Sequence, residues 1–213
     1  MHDLHDVHDV QGASGQRWQD VSVTNAAPPA PVSPQPSAHE AGVPAASSGA
    51  ALHVQHVAWD DPRALELRAR MDAEMNERYS DPDVVEDPAV TAARDAALRV
   101  DPEQVHATVL VTDGAGRAVA HAALRDLGGE WEVKRVIVDS TERGRGLGRV
   151  LMAEVEAVAR AAGAPRLILQ TGDRQPEAVR LYERVGYRPI PTYEPYVEAL
   201  PNSICFEKVL LDV

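Results

Sequence analysis

A single cysteine, Cys205, in 213 residues leaves no internal disulfide to form and fits a reducing, cytoplasmic setting. No apolar run is long enough to cross a membrane, and the opening residues lack the basic start and apolar core of a secretory signal, so neither insertion nor export is expected. Positive charge is in the minority: 21 Lys and Arg against 33 Asp and Glu give a formal net charge of −12. That balance speaks against nucleic acid as a partner, which needs a basic face, and mildly favours cationic or neutral substrates. A spaced Cys/His framework is missing too, so no metal site is expected.

What is present falls into two compositions. From Met1 to about Ala50 the chain opens with a His-Asp repeat (His2-Asp3, His5-Asp6, His8-Asp9) and then becomes rich in Ala, Pro, Ser and Gly. Such a stretch buries too little to offset its ordering entropy and reads as a disordered tail over residues 1–50. Imidazole and carboxylate are metal ligands, but the plainer reading of the repeat is a polar start to a flexible tail, and it is given no function. Residues 51–213 carry the periodic apolar pattern of one folded domain, within an overall hydrophobic content of 44%.

That domain predicts about seven strands with helices between them. Strands are expected over 52–58, 106–112, 117–127, 131–138, 166–171, 187–190 and 203–210. Asp60 or Asp61 caps a helix with Pro62 at its first position, carried by Leu65, Leu67, Arg68, Met71 and Met75 toward Tyr79; residues 91–100 suit a shorter helix. Short glycine turns join the second, third and fourth strands into an antiparallel meander. A further helix runs from Pro176 and stops at Gly186, and residues 191–202 read as a linking loop carrying Tyr193 and Tyr196.

The segment from Val133 to Leu151 organises the rest. A β-branched strand ends in Asp139-Ser140, glycines alternate with arginines, and an amphipathic helix opens with Leu147, Leu151, Val155, Val158 and Ala162 on one face. Strand, glycine-rich loop and helix start make an anion cradle, because backbone N–H groups can approach an anion and the helix start adds its positive dipole end. Arg143, Arg145 and Arg149 add guanidinium donors. The turn closes with Gly-Arg-Val rather than Gly-Lys-Ser/Thr, and its glycines sit at 144, 146 and 148. Neither a nucleotide-hydrolase phosphate loop nor a dinucleotide fingerprint is matched.

Arg143, Gly146 and Gly148 match the pattern Gln/Arg-x-x-Gly-x-Gly/Ala, and the loop resembles the acyl-CoA pyrophosphate loop of the GNAT superfamily of N-acetyltransferases. A second cluster one strand and one helix downstream strengthens this. Ala178, Leu181-Tyr182-Glu183 and Gly186-Tyr187 resemble the family's Ala-x-x-Leu-Tyr-Glu-x-x-Gly-Phe/Tyr segment. The resemblance covers about Leu52 to Val213 and implies an α+β fold, with a mixed, mostly antiparallel central sheet and flanking helices. One position departs: many members carry Asn three residues before the motif's alanine, to contact the cofactor, where this chain has Gln175.

The resemblance further implies acetyl-CoA as co-substrate, a primary amine as acceptor and direct attack in a ternary complex; it also leaves room for a homodimer. The pantetheine arm would lie along the backbone of Val136, Ile137 and Val138, and the pyrophosphate over Arg143, Gly144, Arg145, Gly146, Leu147, Gly148 and Arg149, with Gln175 and Tyr182 also on the cofactor. Tyr182 matches the family's general acid, against a plain packing role for a tyrosine on an apolar face. Glu132 is the candidate general base, directly or through a water, with Glu130 on the same face as the fallback. His121 and His106 are further options on neighbouring strands, though the plainer reading of each is an ordinary strand histidine. Tyr193 and Tyr196 either line an acceptor pocket or lid or anchor their loop. Cys205 reads as a small strand residue rather than a nucleophile. A non-catalytic acyl-CoA-binding module of the same fold is the alternative function.

Overall fold

The computed structural model describes residues 51–81 and 83–210, so the N-terminal tail and its His-Asp repeat lie outside the described residues. Seven strands form one sheet: β1 (His53–Val57), β2 (Val105–Thr112), β3 (Ala118–Leu127), β4 (Glu130–Val138), β5 (Arg166–Gly172), β6 (Arg188–Ile190) and β7 (Ser203–Val209). Their order is β1-β2-β3-β4-β5-β7-β6, and every neighbouring pair is antiparallel except β4 and β5. The helices are α1 (Pro62–Tyr79), α2 (Pro88–Leu98), α3 (Leu147–Ala161), α4 (Pro176–Arg184) and the short α5 (Tyr196–Ala199).

Local chemistry starts these helices where the sequence marks them. Asp61 and Asp87 each accept a hydrogen bond from the backbone N–H two residues on, with proline at the first helical position, and Asp101-Pro102 starts a 3-10 turn in the same way. A carboxylate satisfies one orphan donor, and proline lacks the N–H that would otherwise be wasted there. The helix expected over 91–100 thus begins earlier, at Pro88. The loop expected over 191–202 contains α5, too short for helical periodicity to reveal.

One sheet face packs on α3 and α4. Leu147, Leu151, Met152, Val155 and Ala159 of α3 are buried there with Val109, Val111, Ala122, Leu124, Val133, Leu169, Tyr182 and Phe206. Each fully buried aliphatic side chain contributes about 1.5–3 kcal/mol. The buried stripe drifts from the expected one: Met152 and Glu156 join it and Ala162 is exposed, because α3 ends at Ala161. The other sheet face meets α1 through Ala64 and Leu67, with Leu110 and Ile137, while Leu65 is exposed.

Beside this apolar cluster the second face also buries polar groups. Arg68 is buried, its guanidinium stacked on Trp59 (3.7 Å to the ring centroid), 3.1 Å from His121 Nε2 and donating to the Trp59 carbonyl at 2.6 Å. His121 is fully buried, with Nδ1 2.8 Å from the Arg135 carbonyl. The histidine thus ties α1 to a bulge in β4, where Arg135 has φ 55° and pairing shifts between His121 and Ala123. Burial pushes its imidazole down to about 4; the bond to the Arg135 carbonyl opposes this and Arg68 reinforces it. An unfolded His121 takes its proton near pH 6.5, the folded one only near 4, so its contribution is complete above about pH 6.5 and is lost as pH falls toward 4. We expect His121→Gln to remove up to about 3 kcal/mol of pH-dependent stability across that window, read as a shallower slope of urea-unfolding free energy against pH.

Candidate active site

β4 and β5 are paired only at Glu132–Ile168 and Val133–Leu169. Beyond Val133 the two parallel strands part, and the β4 edge from Lys134 to Val138 has no β5 partner. Val136, Ile137 and Val138, expected to clamp an extended ligand, lie on this unpaired edge just past the bulge. An extended peptide-like arm can complete such an edge with main-chain hydrogen bonds.

The cradle follows at once. Asp139 accepts from the N–H of Thr141 and shapes the turn at Ser140–Glu142. Gly144 and Gly146 have φ of 81° and 82°, which favours glycine. Gly146 caps α3 without any side-chain bond, so the Leu147 and Gly148 N–H groups remain open to an anion, while that of Arg149 donates to the Gly146 carbonyl at 3.0 Å. Gly148 has another reason to be glycine: a Cβ there would come within 2.9 Å of Leu181 Cδ2, where α3 crosses α4. Arg143 donates to the Val138 carbonyl (3.2 Å) and pairs with Glu74 of α1 (2.6 Å), Arg145 pairs with Glu142, and Arg149 is exposed. Leu147 is buried in the core, so it can offer a ligand only its backbone.

The C-terminal end of α1 reaches across the opening, a feature without a sequence signal. Arg78 pairs with Glu74 (2.8 Å) and with Glu177 of α4. The Tyr79 hydroxyl accepts from the Arg174 N–H at 3.1 Å and lies 3.5 Å from Gln175 Nε2. A cleft of about 520 Å3 lies between α1 and the end of β4, lined by Leu67, Met71, Glu74, Ile137, Val138 and Ser140 among others.

Tyr182 and Glu132 fall on opposite faces of the sheet. Tyr182 lies on the α3 side near Tyr187 and Phe206, with centroids 6.1 and 5.8 Å away, and burial holds its phenol well above the usual tyrosine range. Glu132, one residue from Val133 and so on the other face, is fully buried. Its carboxylate accepts from Arg125 Nε (2.7 Å) and lies 2.6 Å from Arg125 Nη2. It also accepts from the hydroxyls of Tyr196 (2.7 Å) and Tyr193 (2.9 Å). Lys134 Nζ donates to the Tyr196 oxygen at 2.8 Å and stands 3.9 Å from Glu132. Burial pushes the Lys134 ammonium down to about 8, with Glu132 opposing and Arg125 reinforcing the effect. Burial followed by the Glu132 charge raises both Tyr193 and Tyr196 above the usual phenol range. Tyr193 and Tyr196, open between lid and anchor in the sequence, are thus both joined to the buried carboxylate.

Of the remaining candidates, Glu130 and His106 stand apart from this network, whereas Cys205 adjoins it. Glu130 is held by Arg166 (2.6 and 3.1 Å), and His106 stacks on Trp131 with centroids 4.2 Å apart. Cys205 is buried, and burial pushes its thiol up, against nucleophilic use. Sequence reasoning missed Arg125 and Lys134, although Lys134 follows Glu132 by two strand positions and therefore shares its face. Among the described residues no cluster of metal-ligating side chains occurs.

With this geometry in view, comparison with known proteins is decisive. Residues 65–187, more than half of the chain, match the acetyltransferase (GNAT) family model. The chain belongs to the GNAT family. Members of this family are acyltransferases that use acyl-CoA as co-substrate. An IAA acetyltransferase of Azospirillum brasilense is 41% identical over 83 residues, covering 39% of this chain and 54% of its own. An N-acetyltransferase of Schizosaccharomyces pombe is 34% identical over 103 residues, covering 46% and 61%. The chain thus spans little more than half the length of these curated relatives. A solved structure from Klebsiella pneumoniae, described as an acyl-CoA N-acyltransferase, has a TM-score of 0.60 at 29% identity, covering 75% of this chain and 98% of that one. The GNAT fold expected from the sequence is the fold observed.

Breaking the Glu132 network tests its energetic weight. Arg125→Met leaves a buried carboxylate without its guanidinium and is expected to cost about 3–5 kcal/mol in urea unfolding. Arg125→Met combined with Glu132→Leu should cost less than Arg125→Met alone.

Proposed function

We propose that this GNAT protein is an N-acetyltransferase moving acetyl from acetyl-CoA to a primary amine by direct attack in a ternary complex. The observation that carries this reading is the parting of β4 from β5 beside a helix start that lacks a side-chain cap and is flanked by arginines. The edge at Val136–Val138 suits the pantetheine arm. The backbone from Gly144 to Gly148, with Arg143, Arg145 and Arg149, suits the pyrophosphate, and Gln175 and Tyr182 complete the cofactor side. An N–H at the end of β4 is a suitable donor to the thioester oxygen as negative charge develops there.

The two sheet faces flank the opening between the strands with different residues. Tyr182 serves the sulfur from the α3 side, donating a proton as the C–S bond breaks. Glu132, on the opposite face, belongs to the acceptor side and sets the charge there; its saturation by Arg125, Tyr193 and Tyr196 makes it an indirect participant in proton removal. A cytoplasmic location fits the lone buried cysteine, and a homodimer is compatible with this reading. The acceptor is an amine whose further chemistry lies with the loops around α2 and α5.

Tyr182→Phe separates an enzyme from an acyl-CoA-binding module. We expect CoA thiol release with an amine panel to fall by about 100-fold or more while acetyl-CoA affinity changes less than about threefold. Unchanged turnover would remove Tyr182 from the chemistry. No turnover in the parent protein, with acetyl-CoA bound, would favour the module.

A further inference from the structure

Only two of the chain's 21 basic Lys and Arg side chains are lysines, Lys134 and Lys208. Arginine keeps its proton at any pH a folded protein meets, whereas a buried lysine can lose one. Lys208 is fixed directly to a carboxylate, donating to both Glu156 oxygens at 2.7 and 2.8 Å and to the Val185 carbonyl at 2.7 Å. Lys134 is held differently. Its shorter polar contact is a phenol oxygen at 2.8 Å, its carboxylate neighbour is 3.9 Å away, and only 6% of it is exposed. It is also the first residue of β4 beyond the last pair with β5, on the face opposite Tyr182.

Resting on the acetyl-transfer reading above, we propose that Lys134 Nζ accepts the proton of the acceptor amine, and that Glu132 and Tyr196 position it. Glu132 lacks the means to do so itself, since both its oxygens are engaged by Arg125 and the two tyrosines. A neutral Lys134 donates one N–H to Tyr196 and keeps its lone pair. Once protonated, it has the Glu132 carboxylate within ion-pair distance. As the amine nitrogen bonds to the thioester carbon, its proton passes to Lys134, the C–S bond breaks, and the sulfur takes a proton from Tyr182. Returning one proton from Lys134 to Tyr182 through solvent restores both residues, so protons balance over a turnover.

The charged and titratable groups around Lys134 are Glu132 and Arg135 on β4, Arg125 on β3, Tyr196 on α5 and Cys205 on β7. Burial and the two arginines favour the neutral amine, whereas Glu132 favours the ammonium. With a midpoint of about 8, the ammonium predominates at neutral pH and the neutral base grows in as pH rises through that midpoint.

Two lysines make the test direct. In the full chain with 15N,13C-labelled lysine, the two side-chain resonances are assigned with Lys208→Arg, and Lys134 is titrated by NMR. The expected midpoint is about 8. The pH profile of kcat/KM, measured by CoA thiol release with benzylamine and putrescine, should rise through the same midpoint. Glu132→Gln should lower the NMR midpoint and the kinetic midpoint together, a coupling that a purely structural lysine would not produce. Lys134→Arg keeps the charge but cannot exchange the proton; about 100-fold or more of kcat should be lost, with acetyl-CoA affinity by calorimetry within about threefold of the parent. Midpoints that fail to move together, or a Lys134→Arg variant with near-parent kcat, would overturn the proposal while leaving acetyl transfer intact. Failure of the parent protein to bind acetyl-CoA, or to release thiol with either amine, would overturn the transfer reading and the base assignment with it.

Discussion

Two parallel strands that pair over two residues and then part are the constraint on which the rest depends. β4 must bond to β5 to bring the two halves of the sheet together, and it must leave β5 to open an edge. The bulge at Arg135, anchored by His121 under α1, lies immediately beyond the last shared pair. From that point the chain runs into Asp139, the left-handed glycines and the open start of α3. The opening, the unpaired edge and the anion cradle are consecutive along one piece of backbone, so none can shift without moving the others.

The two faces beside this opening are built from different physics. On the α3 side, apolar burial holds Tyr182 in place, and its elevated phenol is a consequence of that dry setting. On the other side, Glu132, Arg125, Tyr193, Tyr196 and Lys134 form a buried polar network with several donors on one carboxylate. Each member is costly to bury alone and tolerable only in company. The net charge of −12, a property of the whole chain, says little about this site, where one arginine, one lysine and two tyrosine hydroxyls surround one glutamate.

Much of the fold was legible because local chemistry and global topology agree. Asp-Pro at 61–62 starts a helix, glycine turns close the meander, and the glycine-arginine loop sits where strand gives way to helix, whereas the same pair at 87–88 went unread and α2 begins before the expected 91–100. The cradle was visible as a motif, although Gly148 turned out to answer to Leu181 across the α3–α4 contact, a reason that only packing reveals. The polar network was legible only in part. Glu132 stood out as an acidic residue on the right strand, but Arg125 lies on another strand and Tyr196 on a one-turn helix, joined to it through tertiary contacts. Likewise Arg78 and Tyr79 reach across the opening from α1 through pairings nearly a hundred residues apart in sequence. Sequence patterns encode faces and ends of elements; they do not encode which faces meet.

The most direct test of this account is a calorimetric titration with acetyl-CoA, run against ATP and NAD and repeated with Gly146→Asp. A carboxylate at position 146 would face the open start of α3, where the pyrophosphate is expected. The account predicts saturable binding of acetyl-CoA but not of ATP or NAD, weakened about tenfold or more by the substitution. Absence of acetyl-CoA binding, or binding indifferent to Gly146→Asp, would contradict it.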